Sequence, residues 1–435
     1  MVKFLTRRIF FLIVTLFLVS IAIFAISEIA PGNIAVNTLG NTITEAQEQS
    51  FNAQNGLDQP ILTRYRRWLI GSDWRAEQLI GKDLVRVLDE DNGRYSWWIQ
   101  DADGTLYQTG TEDAETIIKY VRQPDGSVVE QLYEGDPWKP NEEGIPIFWG
   151  IDRTDHAVMW VRGANTEQWV LTKATWTSAA GAPQAYIPLQ RGLLRGDPGK
   201  SFKDRRPVAE VLPRRLINTF FLAVIAFVFI MPISLVLGLM AGLNEGGRVD
   251  RSFSTASLVA TATPPFATGV FLILIFSTWL NWFPGAVVIR PGNSIFSRPS
   301  MLILPVLTLT LVELGYVLRI TRSSMVEVMR TNYIRTAILK GMPRRRVIFT
   351  HALKNALMAP ITIIMLHVNW LVGGIVVVEV IFGFPGVGSY VLEAALFKDV
   401  FAVEAAAMIL VIIAVGTQLL ADIIYTYLNP RIRYA

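Results

Sequence analysis

Residue types capable of covalent chemistry are scarce in this sequence. It contains no cysteine, which excludes disulfides, thiolate nucleophiles and cysteine metal ligands. Its histidines, His156, His351 and His367, are too few and too scattered for a histidine metal cluster. Gly199-Lys200-Ser201 imitates the end of a phosphate-binding loop, but that motif needs a glycine five residues before Gly199, where Leu194 stands. What remains is the chemistry of charge. The stretch from Asn332 to Pro360 carries Arg335, Lys340, Arg344, Arg345, Arg346 and Lys354 and no acidic residue. Elsewhere a carboxylate, Glu313, stands inside an apolar segment, and His367, Asn369 and Trp370 interrupt another. Ionisable and polar groups are costly in lipid, so these are candidates for a substrate pathway, or else internally paired structural groups.

The basic stretch reads as two short helices joined by Gly-Met-Pro. Asn332 can cap the first, Gly341 suits the left-handed position after its end, and Pro343 suits the first turn of the second. Basic loops beside membrane spans face the cytoplasm, so this segment is expected there, either as a docking surface or as an orientation signal that also binds anionic lipid.

Of the 435 residues 51% are hydrophobic and 17% charged, with a mean hydropathy of +0.38, too apolar for an ordinary soluble protein of this length. The pattern predicts an α-helical polytopic membrane protein of about six spans with an inserted, mainly β domain outside the cytoplasm. The first span, the apolar run Ile9 to Ile26, follows Lys3, Arg7 and Arg8 and is longer than a signal-peptide core. Others are expected at Ile217 to Leu243, Leu258 to Trp279 with Pro264-Pro265 inside it, Met301 to Ile320, Ile361 to Ile381 and Val403 to Tyr425. Both termini are then cytoplasmic.

Residues 73–188 differ in kind, with 10 Lys/Arg against 20 Asp/Glu, which leaves 30 and 16 for the rest of the chain. Asp103-Gly104 and Asp125-Gly126 stand between β-branched and aromatic runs, a hairpin signal. Val158 to Val161 is expected to face Trp169 to Leu171, and a short helix is expected around Trp74 to Val87. The tryptophans are expected to form the core of a small sheet, with a stacking surface as the alternative. The expected organisation is a first span over 1–30, loop 31–71, inserted domain 72–190, loop continuation 191–216, and a five-helix core over 217–435 containing the basic loop 332–360.

Several motifs resemble those of permease subunits of ATP-binding-cassette importers, in the peptide branch. Arg335-Thr336-Ala337, three residues and Gly341 resemble the coupling loop of that family, whose general form has glutamate where Arg335 stands; R-T-A-x-x-K-G is similar to the peptide-branch version. Ala30-Pro31-Gly32-Asn33, Gly56-Leu57-Asp58-Gln59-Pro60, Gly383-Phe384-Pro385-Gly386 and the terminal Asn429-Pro430-Arg431-Ile432-Arg433-Tyr434 follow in the family's order. The resemblance implies one half of a transmembrane pair: a second homologous permease subunit, two ATP-binding subunits, an extracytoplasmic substrate-binding protein and the lipid bilayer as partners, and no nucleic acid. It implies no catalytic centre and no cofactor or metal on this chain, with ATP and Mg on the partner subunits. Tyr333, Arg335, Thr336, Ala337, Lys340 and Gly341 would contact the ATPase. Di- or oligopeptides are the implied substrate, with nickel or oligosaccharides as alternatives carried by relatives. An ATP-independent receptor or channel with a β sensor domain is the alternative from another class. The insert is the departure from the family; its acidic character suits contact with the external binding protein, with capping of the pore or a merely tolerated surface insertion as the alternatives.

Overall fold

The computed structural model describes residues 2–89, 94–164, 168–172, 175–179, 181–289 and 295–428. Side chains at 365–372 and 422, and at some residues near these boundaries, lie outside the description, as does the tail from Asn429. The chain divides into two units, one of residues 1–23, 210–396 and 406–435, the other of 24–209 and 397–405.

The second unit contains four short helices, α2 (Ile34–Leu39), α3 (Glu45–Gln54), α4 (Ile61–Ile70) and α5 (Asp73–Ile80), following α1 (Val2–Ile29). Helix α5 corrects the helix expected over Trp74 to Val87. Gly81 takes a left-handed conformation, φ 72°, and closes the helix, and Asp83–Asp89 then forms strand β1. Strands β1, β2 (Arg94–Gln100), β3 (Leu106–Thr111), β4 (Ile117–Arg122) and β5 (Val128–Leu132) make one antiparallel sheet in chain order. Both Asp-Gly hairpins form: Gly104 and Gly126 hold φ 86° and 84°, and Asp125 accepts the Ser127 amide at 2.9 Å.

A second sheet is ordered β11 (Ala185–Pro188), β8 (His156–Val161), β7 (Pro146–Ile151), β6 (Lys139–Pro140). The expected pairing of Val158–Val161 with Trp169–Leu171 does not occur. Strand β8 is central, with β7 on one edge and β11 on the other, so β9 (Gln168–Thr172) pairs with β10 (Thr175–Ala179), its neighbour in the chain. Trp97, Trp138 and Trp160 are buried, and Phe148 stacks on Trp160 at 5.7 Å, so these aromatics are core. The chain enters and leaves this β region at one place. The Ser72 amide donates to the Gln190 carbonyl at 2.9 Å, the Gln190 amide to the Ser72 hydroxyl at 3.2 Å, and Arg195 pairs with the carboxylate of Asp73.

The first unit is helical: α6 (Val208–Leu243), α7 (Arg248–Ala262), α8 (Pro265–Trp279), α9 (Ser300–Met329), α10 (Asn332–Leu339), α11 (Arg344–Ala356), α12 (Met358–Phe382) and α13 (Val387–Phe397), with α14 (Val400–Leu428) ending the described chain. Among the described residues four helices, α1, α6, α9 and α14, are each long and apolar enough to cross a membrane, and counting each of three bent pairs as a span gives up to seven. The straight third span expected over Leu258 to Trp279 is broken by 107° between α7 and α8. Pro264 is held extended there, since a residue followed by proline is steered away from helical angles.

Small residues bring the helices together. A Cβ on Gly238 would lie 2.7 Å from the Leu318 carbonyl, and one on Gly315 would lie 2.5 Å from the Ser257 carbonyl, so α6 and α7 touch α9 backbone to backbone. The Gly383-to-Gly388 turn is organised by a buried carboxylate that sequence inspection passed over. Glu379 accepts the Thr219 hydroxyl at 2.5 Å and the Gly388 and Ser389 amides at 2.6 and 3.2 Å. Replacing it by leucine leaves these donors buried without an acceptor, at roughly 1–3 kcal/mol each. Glu379→Leu is therefore expected to unfold at markedly lower temperature in detergent than the parent, with Glu379→Gln, which keeps an acceptor oxygen, intermediate; equal melting of all three forms contradicts the assignment.

Candidate functional site

The basic stretch folds as a short helix on an apolar root. Helix α10 buries Ile334 and Ala337, three residues apart and so on one face, in a cluster with Met325 of α9 and Val347, Ala352 and Ala356 of α11, flanked by Leu239 and Leu243 of α6. Its N-cap position is Thr331 rather than the expected Asn332, which is the first helical residue, and the Thr331 hydroxyl donates instead to the Val328 carbonyl at 2.6 Å. The end is closed as the sequence suggests. Gly341 holds φ 73°, its amide donates to the Ile338 carbonyl at 2.9 Å, and the Met342 amide donates to the Ala337 carbonyl at 3.3 Å. This pair of bonds is the Schellman motif, and Met342 joins the apolar cluster as its hydrophobic partner. Pro343 precedes the next helix with an extended ψ of 139°, at the cap position rather than within the first turn.

The opposite face combines cations with exposed apolar side chains. Arg335, Lys340, Arg344, Arg345 and Arg346 are exposed, and beside them Leu339 is 79%, Phe349 66% and Ile338 55% exposed. Tyr333, also exposed, accepts a hydrogen bond from Asn355 Nδ2 at 2.8 Å, which ties α10 to α11. Ion pairs brace the connections below: Arg322 Nε with Asp250 at 2.5 Å, and Arg330 with Glu245 at 2.5 Å. Thus Tyr333, Arg335, Thr336, Lys340 and Gly341 are all exposed around α10 and the turn that ends it, while Ala337 faces inward. Sequence inspection missed Ile338, Leu339 and Phe349. Leu339 alone is apolar out of phase with the buried Ile334 and Ala337, whereas Ile338, four residues after Ile334, follows the buried stripe in sequence.

Such a face has no acid, nucleophile or base arrangement for catalysis. It suits a partner groove that is apolar at the centre and acidic at the rim. The other candidates lie apart from it. Glu313 is on α9 and 2% exposed. His367, Asn369 and Trp370 are on α12, with side chains outside the described residues. Among the described residues no group of His, Asp and Glu is placed to hold a metal.

Comparison with known proteins identifies the surroundings of this surface. Residues 234–434 match the family described as the binding-protein-dependent transport system inner membrane component, and residues 1–80 match the N-terminal family of such membrane components. A candidate peptide transport system permease of Brucella abortus is 36% identical over 242 residues, 56% of this chain and 77% of its own length. The oligopeptide transport system permease protein AppB of Bacillus subtilis is 35% identical over 252 residues, 57% of this chain and 80% of its own. The dipeptide transport system permease protein DppB of Escherichia coli is 33% identical over 275 residues, 58% of this chain and 81% of its own.

The two faces of α10 give opposite expectations. Ile334→Ala empties a fully buried position and is expected to cost ~2–4 kcal/mol, with faster tryptic cleavage at Arg335 and Lys340. Leu339→Ala removes only an exposed side chain and is expected to change stability by about 0.5 kcal/mol or less. Thermal unfolding in detergent with timed trypsin digestion checks both, and equal behaviour of the two variants contradicts the packing described.

Proposed function

Because this chain belongs to the family of inner membrane components of binding-protein-dependent transport systems, we propose that it forms half of the translocation pathway of an ATP-driven peptide importer and that α10 is its contact with the ATPase. The observation that carries the reading is a short helix with a buried apolar root and an exposed face of Leu339, Ile338, Arg335 and Lys340, closed by the Gly341 turn. A soluble partner that grips this face moves α9 and α11 with it, because Ile334 and Ala337 are locked against both. Permease subunits of this family are not themselves catalytic, and an ATP-binding partner and a substrate-binding partner follow from membership.

The finer arrangement is inferred. Two ATP-binding subunits, each with ATP and Mg, would serve this chain and a second homologous permease, with no cofactor held here. The family is one of the inner membrane, and the basic residues around α10 orient that loop to the cytoplasm by charge. Both termini are then cytoplasmic and the β region extracytoplasmic. Peptide as cargo rests on the names of relatives such as AppB and DppB. Glu313, His367, Asn369 and Trp370 are assigned to the pathway, with Glu313 drawing a peptide's terminal ammonium.

Two measurements test these assignments. In the assembled complex, Leu339→Asp sets a charge where an apolar anchor is expected and weakens ATPase association about tenfold or more. A Cβ added at Gly341 meets no atom within 4 Å, so the main cost of Gly341→Val is the left-handed backbone, roughly 1–2 kcal/mol; transport and binding-protein-stimulated ATP hydrolysis are expected to fall while membrane insertion persists. Unchanged coupled hydrolysis in both variants contradicts the ATPase contact. Glu313→Gln is expected to reduce uptake of cationic peptides more than that of neutral ones at equal complex yield, and equal reduction together with loss of complex assigns Glu313 to packing instead.

A further inference from the structure

The second unit holds a cleft of about 890 Å³, within the ~300–1,000 Å³ usual for ligand sites. All its lining residues belong to that unit: they come from the end of α2, Asn55 after α3, β1, β2, the β7–β8 turn with His156, β10, the segment Pro188–Gln190 and the loop Asp197–Pro207, with Phe401. We propose that this cleft binds an extended peptide, whose main chain pairs with β2 at Tyr95 and whose C-terminal carboxylate is met by Lys200 and Arg205. The inference rests on the peptide-importer reading for the identity of the ligand and adds a site outside the translocation pathway.

The free edge follows from strand parity. Along β2, residues 95, 97 and 99 direct their main-chain groups to the same side. Ile99 faces Tyr107 of β3, and there β3 leaves, since only Ile99 and Gln100 pair with it. Trp97 is met by side chains instead: its amide donates to Asp155 Oδ1 at 2.8 Å, and its carbonyl accepts from Gln108 Nε2 at 2.9 Å. At Tyr95 the edge reaches the cleft, and among the described residues no hydrogen bond is made by its main chain on that side. An edge of this kind is what a bound peptide strand completes, with affinity from the main chain and little dependence on side chains.

The charge at the other side of the cleft favours a carboxylate. Arg86 is engaged with Asp197 at 3.3 Å and lies over the Tyr95 ring, and the Arg153 guanidinium lies over the Tyr120 ring. Lys200 and Arg205 are exposed and form no salt bridge among the described residues, although the Lys200 charge also acts on the Asp155 carboxylate in the cleft lining. Their loop is stiff. Lys200 bridges to Pro207, the Arg205 amide donates to the Ser201 carbonyl at 3.0 Å, and the Ser201 hydroxyl donates to the buried Asp399 carboxylate at 2.5 Å. Arg205 is itself held at φ 55°, unusual for a residue other than glycine. Two exposed cations in the lining that Tyr95 shares fit a peptide with a free C-terminus. A phosphate ion would use the cations and leave the edge unused.

The test uses the full chain with its partner subunits in lipid nanodiscs, without the binding protein, and N-terminally labelled penta-alanine read by fluorescence anisotropy. The free acid is expected to bind saturably, with its C-terminal amide and its alternately N-methylated form each weaker by roughly tenfold, the effect of losing one charge-assisted hydrogen bond or the one or two main-chain hydrogen bonds at Tyr95. In the Lys200→Ala/Arg205→Ala double variant, expected to melt like the parent because both side chains are exposed, acid and amide bind alike. Equal binding of all three probes by the parent, or discrimination unchanged in the double variant, overturns the site. Absence of saturable binding while the complete system with its binding protein imports unlabelled penta-alanine overturns the site and leaves the importer reading standing. Discrimination by the cleft in a system that imports no peptide upholds the site and overturns the importer reading.

Discussion

The burial of Ile334 and Ala337 against Met325 and Val347 is the contact on which the functional surface depends. A helix of eight residues is too short to be stable in isolation. It persists because one face is packed and its end is closed by the two bonds around Gly341. Remove the packing and the exposed Leu339, Arg335 and Lys340 lose their common orientation, although none of them takes part in the core. Under the proposed ATPase contact, the same packing would pass a force on α10 directly to α9 and α11 rather than into a loose loop.

Below that root the helices are joined by constraints that tolerate little substitution. Gly238 and Gly315 let backbones approach more closely than any side chain allows, and the Asp250–Arg322 pair ties the start of α7 to α9. In a lipid environment, where hydrophobic transfer supplies little drive between helices, close backbone packing and satisfied polar groups carry the association. Glu379 works by the same logic at the Gly383-to-Gly388 turn. It gathers one hydroxyl and two amides that would otherwise be buried without acceptors, and Gly386 and Gly388 leave room for its carboxylate.

Much of this was legible in the residues, for reasons that differ by element. Gly341 and the Asp-Gly hairpins were readable because left-handed backbone angles select glycine locally, whatever the distant context. The apolar helices were readable because bilayer thickness imposes their length. The pairing of β8 was not, since two possible partners are equally alternating, and burial of Ala157 and Val158 between β7 and β11 decides it only in the folded unit. The break at Pro264 was read as a tolerated proline within one span, although the chain direction turns there by 107°. Glu379 escaped notice because one carboxylate near a helix end has no sequence signature until its donors, 160 residues away at Thr219 and within the following turn, are brought to it. On α10 the exposure of Ile338 is concealed in the sequence, because four residues after the buried Ile334 it looks like an ordinary helix-core residue.

The β region and the helical unit answer to different physics. One is an acidic, hairpin-built body whose aromatic core needs water around it, and the other relies on small residues and internal pairing. What joins them functionally is the proposal that ATP-driven motion enters this chain at α10. The most direct measurement places a photo-crosslinking amino acid at Leu339 of the complete complex in its native membrane. The expected result is capture of the ATP-binding subunit, with a yield that changes between nucleotide-free and ATP-bound states. Capture of lipid alone, in either state, would contradict it.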